Sequence, residues 1–551
     1  MSIQKINKRS HTAIFLAGMT IVASFFSLQL FSFSVFEGFA TLANDSFSFI
    51  RVAKIWSPYS EASSYVLNTV PEHQRSPFFP WLLALTGGAE SMRAGHLLTS
   101  IALLLSFSVI GAMLWQSVDG RLAILFATCL LLLPGVLLAT MGVLSENVYL
   151  FLTLLAILVF WRVDKKAGIH AGSFILLLSL LTIASLTRAI GIALPLALLV
   201  SALVDGNRVI QKRAAYLSIA GVSLGAWFLW NELGVDPRAS GVLDKFLLYL
   251  GDENVPVVER ARHYSAYALA SARNLPAAWA QYLGMDRSGT LLFVFSYLVF
   301  AACLIATACR ALKARMDAVY VIFYLSILIF WGYSGEQARF LHPVAWLMLL
   351  QPILLGALHA KPEVIRWQLL VIASFAVLLV NSLWTHHQFR ALRETAERQF
   401  PALVHSFEYY ENLGRPSDLQ SPLVFQRVMV LMRSTSSIVP EDAVVASVKH
   451  EAFMLLAERT GVMLTDQVSY EQQLCNFKLR KVGFVFLSRL NSAYVPEPFG
   501  LVERYKAITA QTFETRLPDE SGESYLLMLD KSAIEQELTR LGFKCRSFQL
   551  V

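Results

Sequence analysis

Residues 131–160 read LLLPGVLLATMGVLSENVYLFLTLLAILVF, and Glu146 is the one charged residue in them. A helix needs about 18–20 apolar residues to cross the hydrocarbon layer of a bilayer. This stretch is too long for one crossing, and the turn at 144–146 divides it into the end of one span and the start of the next. A carboxylate sits where the second helix enters the apolar layer. Charge at that depth is costly, so its presence asks for a reason.

The rest of the chain follows the same pattern. Of 551 residues, 56% are hydrophobic and 15% charged, against about 25% charged in a soluble domain. Apolar runs near 11–34, 93–116, 121–142, 147–162, 172–187, 189–204, 214–233, 290–309, 317–334, 340–358 and 366–384 predict an α-helical polytopic membrane protein of about eleven spans. The first run is longer than the roughly 7–15 residues of a signal-peptide core and reads as a retained helix.

Short loops alternate in charge. Lys5, Lys8 and Arg9, then Arg121, then Arg162, Lys165 and Lys166, then Arg208, Lys212 and Arg213, then Arg310, Lys313 and Arg315, and finally Lys361 and Arg366 share one side. That side is cytoplasmic by the positive-inside rule, and so is the N-terminus. This placement accounts for much of the net charge of +7 and argues against nucleic acid as a partner. The opposite side carries two long loops, 35–92 and 234–289, and three tight turns at 144–146, 187–189 and 335–339. Residues 76–88, SPFFPWLLALTGG, are too few to span and predict a juxtamembrane helix with Trp81 at headgroup level. Residues 46–57 read as an interfacial helix, with Phe47, Phe49, Ile50, Ala53 and Ile55 toward lipid and Arg51 and Lys54 toward phosphates.

Beyond residue 385 the charge rises and β-like runs appear at 443–447, 482–488 and 524–530, with helical runs between them. The domains are therefore expected as 1–385 in the membrane and 386–551 as an extracytoplasmic α/β domain. Of five cysteines, Cys129, Cys303 and Cys309 lie in or at the end of apolar spans and read as small core residues. Cys475 and Cys545 are able to pair if the C-terminal region faces an oxidising compartment.

The membrane-edge charges collect on the outer face: Asp45, Glu146, Arg188, Glu336 and Arg339, with His73 and Arg75 in the first long loop. Half-buried carboxylates serve as general bases or hold a divalent cation, and guanidinium groups match phosphate oxygens. Together they point toward transfer from a phosphate-linked lipid. Plainer readings stand beside this one. Asp45 with Ser46 suits a helix N-cap, Glu146 a first-turn acid, and Arg188 and Arg339 suit arginines that reach to headgroups. Arg260, Arg262, His263, Tyr264 and Tyr267 enrich the second long loop, and no spacing singles one out.

In order and spacing, residues 10–385 resemble the C-type glycosyltransferase superfamily, in its bacterial branch of protein O-mannosyltransferases and the lipid A aminoarabinose transferase. The stretches that carry the likeness are NDSFSFIRVAKIW, RSPFFPWLLAL, the 131–160 segment, SLTRAIGIALPLALLV and EQARFLHPVAWLMLL. The resemblance implies an inverting transferase of the inner membrane. It would take a sugar from a polyprenyl monophosphate and act on a lipid, glycan or protein acceptor at the periplasmic face. It implies that Asp45 is the catalytic acid or metal-linked group, with Glu146 in support, and that Arg188, Arg339 and Arg75 hold the donor phosphate. It allows a divalent metal, with Asp45, Glu72 and His73 as the candidate ligands. The chain departs from the family in having Asp45-Ser46 where protein mannosyltransferases carry an Asp-Glu pair, and EHQRSPFF where the lipid A enzymes carry an acid-lysine pair. Two other readings are a non-catalytic scaffold for glycan assembly or export, and a lipid or solute transporter. The second predicts inverted repeats and broken mid-membrane helices, which the sequence does not display.

Overall fold

The computed structural model describes residues 17–24, 44–69, 75–118, 120–166, 168–205, 209–233, 257–286, 289–330, 337–357, 371–385, 387, 428–464, 469–488, 499–516 and 523–545. Residues 17–24, inside the first expected span, are helical. The next helices are α1 (Asn44–Trp56), α2 (Ser64–Asn68) and α3 (Phe78–Leu85). The helices that follow are α4 (Met92–Trp115), α5 (Gly120–Leu131), α6 (Pro134–Met141), α7 (Glu146–Asp164), α8 (Ala171–Ser185), α9 (Ala193–Val204), α10 (Ile210–Leu233), α11 (Val257–Tyr282), α12 (Thr290–Ala311), α13 (Met316–Phe330), α14 (Gln337–Ala357) and α15 (Val371–Thr385). By length and composition four of these, α4, α7, α12 and most of α14, are long and apolar enough to cross a membrane, and α5, α8, α13, α15 and the 189–204 segment are shorter apolar helices.

Helices α7 and α14 form the centre. An ordinary surface helix buries one stripe, whereas a helix that is apolar all round is buried all round. Tyr149, Leu150, Leu154 and Ile157 of α7 and Leu341, Val344, Trp346 and Leu350 of α14 are fully enclosed. The two helices touch, and both begin at the same end of the bundle. That shared end is where the membrane-edge charges lie.

Two expected spans are interrupted. The 121–142 segment stops at Leu131 and restarts at Pro134, the first residue of α6, where a missing N–H costs nothing. The 189–204 segment opens with a 3-10 turn, Ala189–Ile192, before α9. Helix α3 has eight residues, which is too short to cross, and Trp81 stays exposed as expected.

The reading of α1 as a lipid-facing helix is corrected. Phe47, Phe49, Ile50 and Ala53 are buried against protein, with the Phe49 ring edge-on to Phe79 at 5.0 Å. Arg51, expected at phosphates, is 2% exposed and donates to the Thr69 carbonyl. An amphipathic pattern reports that one face is covered but not by what. Here the cover is α3 on one side and the C-terminal region on the other.

That region holds a five-stranded sheet in the order β2-β1-β3-β5-β4, formed by β1 (Val444–Ser447), β2 (Thr460–Met463), β3 (Val482–Ser488), β4 (Thr509–Arg516) and β5 (Glu523–Leu529). β1 runs parallel to β2 and β3, and β5 runs antiparallel to β3 and β4. The three expected β-runs are the three inner strands. The two edge strands are the less apolar ones, which periodicity does not single out. Helices α16 (His450–Ala457), α17 (Tyr470–Leu479), α18 (Gly500–Tyr505) and α19 (Lys531–Arg540) flank the sheet. Ser469 and Gln472 close a capping box on α17, and Asp530 caps α19. Cys475 and Cys545 form a disulfide, with Cα atoms 5.5 Å apart. Helix α16 rests on α1, and Phe453, Phe486 and Leu526 join the same apolar core as the membrane helices.

Candidate active site

The starts of four elements and one turn converge at the end of the bundle where α7 and α14 begin. Asp45 stands in the first turn of α1, Arg75 just ahead of α3, and Glu146 at the first position of α7. Arg188 occupies the turn between α8 and the 3-10 segment, and Arg339 is in the first turn of α14. Helix N-termini carry partial positive charge, so both carboxylates sit where the backbone field favours them.

The five side chains form one continuous ionic network. Asp45 Oδ1 lies 3.1 Å from Arg75 Nη2, and Asp45 Oδ2 is paired with Arg339 Nη2. Arg339 Nε lies 3.2 Å from Glu146 Oε1, and Glu146 Oε2 lies 2.8 Å from Arg188 Nη1. Arg339 therefore bridges the two acids, Asp45 and Glu146, which are far apart in the chain. Burial is graded across the network. Glu146 is 1% exposed, Arg339 7%, Arg188 12%, Arg75 17% and Asp45 29%. Glu146 forms the floor and Asp45 the open side.

Aromatic rings and ordinary polar groups hold the arginines in place. The Phe340 ring lies under both Arg339, at 4.8 Å, and Arg188, at 5.6 Å, and the Phe49 ring lies under Arg75 at 5.6 Å. Arg188 donates to the Ser145 hydroxyl at 3.3 Å. Its turn is fixed from two directions: Phe78 N–H donates to the Leu186 carbonyl at 3.0 Å, and Trp227 Nε1 donates to the Ala189 carbonyl at 3.1 Å. Gly191 is needed there, because a Cβ would lie 2.6 Å from the Ala184 carbonyl oxygen. Trp230 Nε1 donates to the Arg75 carbonyl at 3.3 Å, and Arg75 Nη2 donates to the Ser48 hydroxyl at 3.0 Å.

Beneath the ions lies a polar layer that the sequence reading does not reach. His342 Nε2 is 2.8 Å from Asn147 Oδ1, and His342 Nδ1 is 3.1 Å from the Tyr282 hydroxyl. The Tyr149 and Tyr320 hydroxyls are 3.1 Å apart, and the Tyr324 hydroxyl donates to the Phe340 carbonyl at 2.7 Å. Every member is buried. His342 follows Arg339 by three residues on α14, which puts both on one face. That spacing is the one signal in the sequence that points to it.

All five residues expected to act on donor or acceptor are thus brought together. Glu72, His73 and Glu336 lie outside the described residues. Of the expected metal set only Asp45 lies among the described residues, and its two oxygens face Arg75 and Arg339. Among the described residues no three His, Cys, Asp or Glu side chains gather to hold a metal. From the second long loop, Tyr264 donates to the Phe330 carbonyl at 3.1 Å and stacks on its ring, which gives it a packing role between α11 and α13.

No protein-family profile matches the chain, and no curated protein matches it in sequence. Structural similarity is more informative. ArnT from Cupriavidus metallidurans in the apo state superposes with a TM-score of 0.52 at 12% identity, over 94% of this chain and 99% of that one. The chain has the fold of ArnT. The ArnT structure bound to undecaprenyl phosphate gives a TM-score of 0.49 at 13% identity, over 94% and 97% of the two chains. The oligosaccharyltransferase AglB of Archaeoglobus fulgidus, in complex with an inhibitory peptide and a dolichol-phosphate, gives 0.48 at 12% identity, over 92% and 74%. The ionic network lies where α7 and α14 begin and α1 and α3 close over them.

Proposed function

We propose that this chain is a glycosyltransferase that moves a sugar from a polyprenyl monophosphate to an acceptor, with inversion, at the periplasmic face of a bacterial inner membrane. The carrying observation is the bridge: Arg339 joins Asp45 to Glu146, and Arg75 and Arg188 flank the pair. Guanidinium groups that hold carboxylates in a dry, partly enclosed setting match the two free oxygens of the donor's phosphodiester equally well, and they suit the phosphate monoester that leaves.

In this reading the donor's prenyl chain lies among apolar helices and its phosphate meets Arg188, Arg339 and Arg75. An acceptor hydroxyl or amine enters from the open side beside Asp45. The acceptor atom attacks the sugar's C1 as the C1–O bond to phosphate breaks on the opposite face, which inverts the anomeric centre. Asp45 takes the acceptor's proton, and the arginines stabilise the phosphate as charge builds on it. Glu146 keeps Arg188 and Arg339 in register beneath the phosphate. About eleven crossings, a cytoplasmic N-terminus and periplasmic 35–92, 234–289 and C-terminal regions complete the proposal. The Cys475–Cys545 disulfide supports an oxidising location for the last of these.

The test is made in right-side-out membrane vesicles that carry the protein, supplied with a panel of radiolabelled polyprenyl-monophosphate sugars. Release of free polyprenyl monophosphate with label moving to a new product is expected for at least one donor. No release with any donor would remove the transferase reading and leave a scaffold that keeps the fold.

A further inference from the structure

We propose that Glu451, in the C-terminal α/β unit, is a positioning residue for the site: acting through Ser48, it sets Arg75 against Asp45. The inference rests on the reading of the site as one for a lipid-phosphate donor. Glu451 lies 403 residues from Ser48 in the chain, and the Ser48 hydroxyl donates to Glu451 Oε2. The same hydroxyl oxygen accepts from Arg75 Nη2 at 3.0 Å, and that nitrogen also lies 3.1 Å from Asp45 Oδ1. A hydroxyl has one proton to give. Committing it to Glu451 turns the oxygen lone pairs of Ser48 toward Arg75, so the acid decides which way the serine faces.

The placement is fixed by the fold. Glu451 is in the first turn of α16, where the helix dipole favours a carboxylate, and it is 6% exposed. A buried carboxylate needs a partner, and Ser48, 1% exposed on the covered face of α1, is a partner across the interface. The two units are joined a second time where Gly461 N–H donates to Thr69 Oγ1 at 2.9 Å. Gly461 also lets α16 sit close, because a Cβ there would lie 2.4 Å from the His450 carbonyl oxygen. Both ends of the 44–69 segment are therefore clamped by the C-terminal unit. Through two hydrogen bonds and the Arg75–Asp45 ion pair, Glu451 reaches the carboxylate assigned to the chemistry.

The experiment measures binding of farnesyl monophosphate to the full chain in lipid nanodiscs, by titration calorimetry. The variants are Glu451→Ala, Glu451→Gln, Ser48→Ala and the Ser48→Ala/Glu451→Ala double. Loss of one hydrogen bond to a charged group predicts about a tenfold weaker affinity for Glu451→Ala and for Ser48→Ala. The double variant should bind no more weakly than Ser48→Ala alone, because the two act in series. Glu451→Gln, whose amide oxygen still accepts from Ser48, should stay within about threefold of wild type. Wild-type affinity in Glu451→Ala, even with a lowered melting temperature, would reduce Glu451 to a docking contact and overturn the proposal while the donor reading stands. Additive losses in the double variant would overturn it equally. No binding by the wild-type chain would overturn the donor reading and this proposal together.

Discussion

Replacing Arg339 by Met removes the bridge while keeping most of the side-chain volume. Two ion pairs are lost, along with the stack on Phe340. Deleting one partner of a buried pair costs about 3–5 kcal/mol, because the remaining charge stays buried. Glu146, 1% exposed, retains Arg188 at 2.8 Å, so the lower end, about 3 kcal/mol, applies to that contact. Asp45 retains Arg75 and is 29% exposed, so its lost pair adds at most about 1 kcal/mol. Relief of repulsion between Arg339 and Arg188, which share the Phe340 ring, subtracts from the total. A net loss of about 3 kcal/mol is expected. It is read from reversible unfolding in mixed detergent micelles followed by tryptophan fluorescence. Glu146→Gln combined with Arg339→Met should be more stable than the sum of the single losses by about 1–3 kcal/mol, since a neutral amide in place of the carboxylate no longer needs a guanidinium. An Arg339→Met variant within about 0.5 kcal/mol of wild type would refute the reasoning. Strict additivity in the double variant would do the same.

Other substitutions probe separate parts of the fold. Gly191→Ala would place a Cβ 2.6 Å from the Ala184 carbonyl oxygen and 2.8 Å from Ser185 Cα. That overpacking costs about 1–3 kcal/mol and shifts the turn that carries Arg188; donor turnover should fall in protein that is still folded, and unchanged turnover would contradict the account. At the other end of the bundle Arg310 pairs with Asp317 at 2.7 Å and donates to Gln351, also at 2.7 Å, all three buried. Arg310→Met should cost about 3 kcal/mol of stability with donor affinity unchanged, and a loss of affinity in the folded variant would show that the two ends are coupled. The Cys475–Cys545 disulfide closes a separation of 70 residues, so Cys545→Ser should destabilise the C-terminal unit by about 4 kcal/mol. Resistance to limited proteolysis equal to wild type would argue against that.

The site was legible because charge in an apolar setting is expensive. Glu146 is the single charge in thirty residues, and Arg188 and Arg339 stand out from their surroundings for the same reason. The wiring between them was not legible. Arg339 and Asp45 are 294 residues apart in the chain, and nothing in a local pattern says that one arginine spans two acids. The N-cap reading of Asp45 is half right. Asp45 does lie in the first turn of α1, yet its carboxylate faces arginines. Ser48 and Glu451 left no signal at all, since a serine in a helix and an acid in a polar domain are ordinary. Helix α1 misled for a related reason: its apolar face is covered by protein, not lipid, and periodicity cannot tell the two apart. Pro134 was the visible warning that 121–142 would not run as one helix. Positions of the inner strands followed from apolar runs, whereas β2 is only four residues long and β4 is largely polar.

The most direct measurement compares wild type with Asp45→Asn in the vesicle assay, with donor binding measured on the same preparations. Asn preserves the shape of Asp45 and removes its charge and its capacity to take a proton. The account predicts that Asp45→Asn still binds farnesyl monophosphate, through Arg188 and Arg339, while sugar transfer falls by at least about a hundredfold, the scale of a lost general base. Transfer at the wild-type rate by a folded Asp45→Asn protein would contradict the central claim and return Asp45 to the role of a helix-end counter-ion for Arg75 and Arg339.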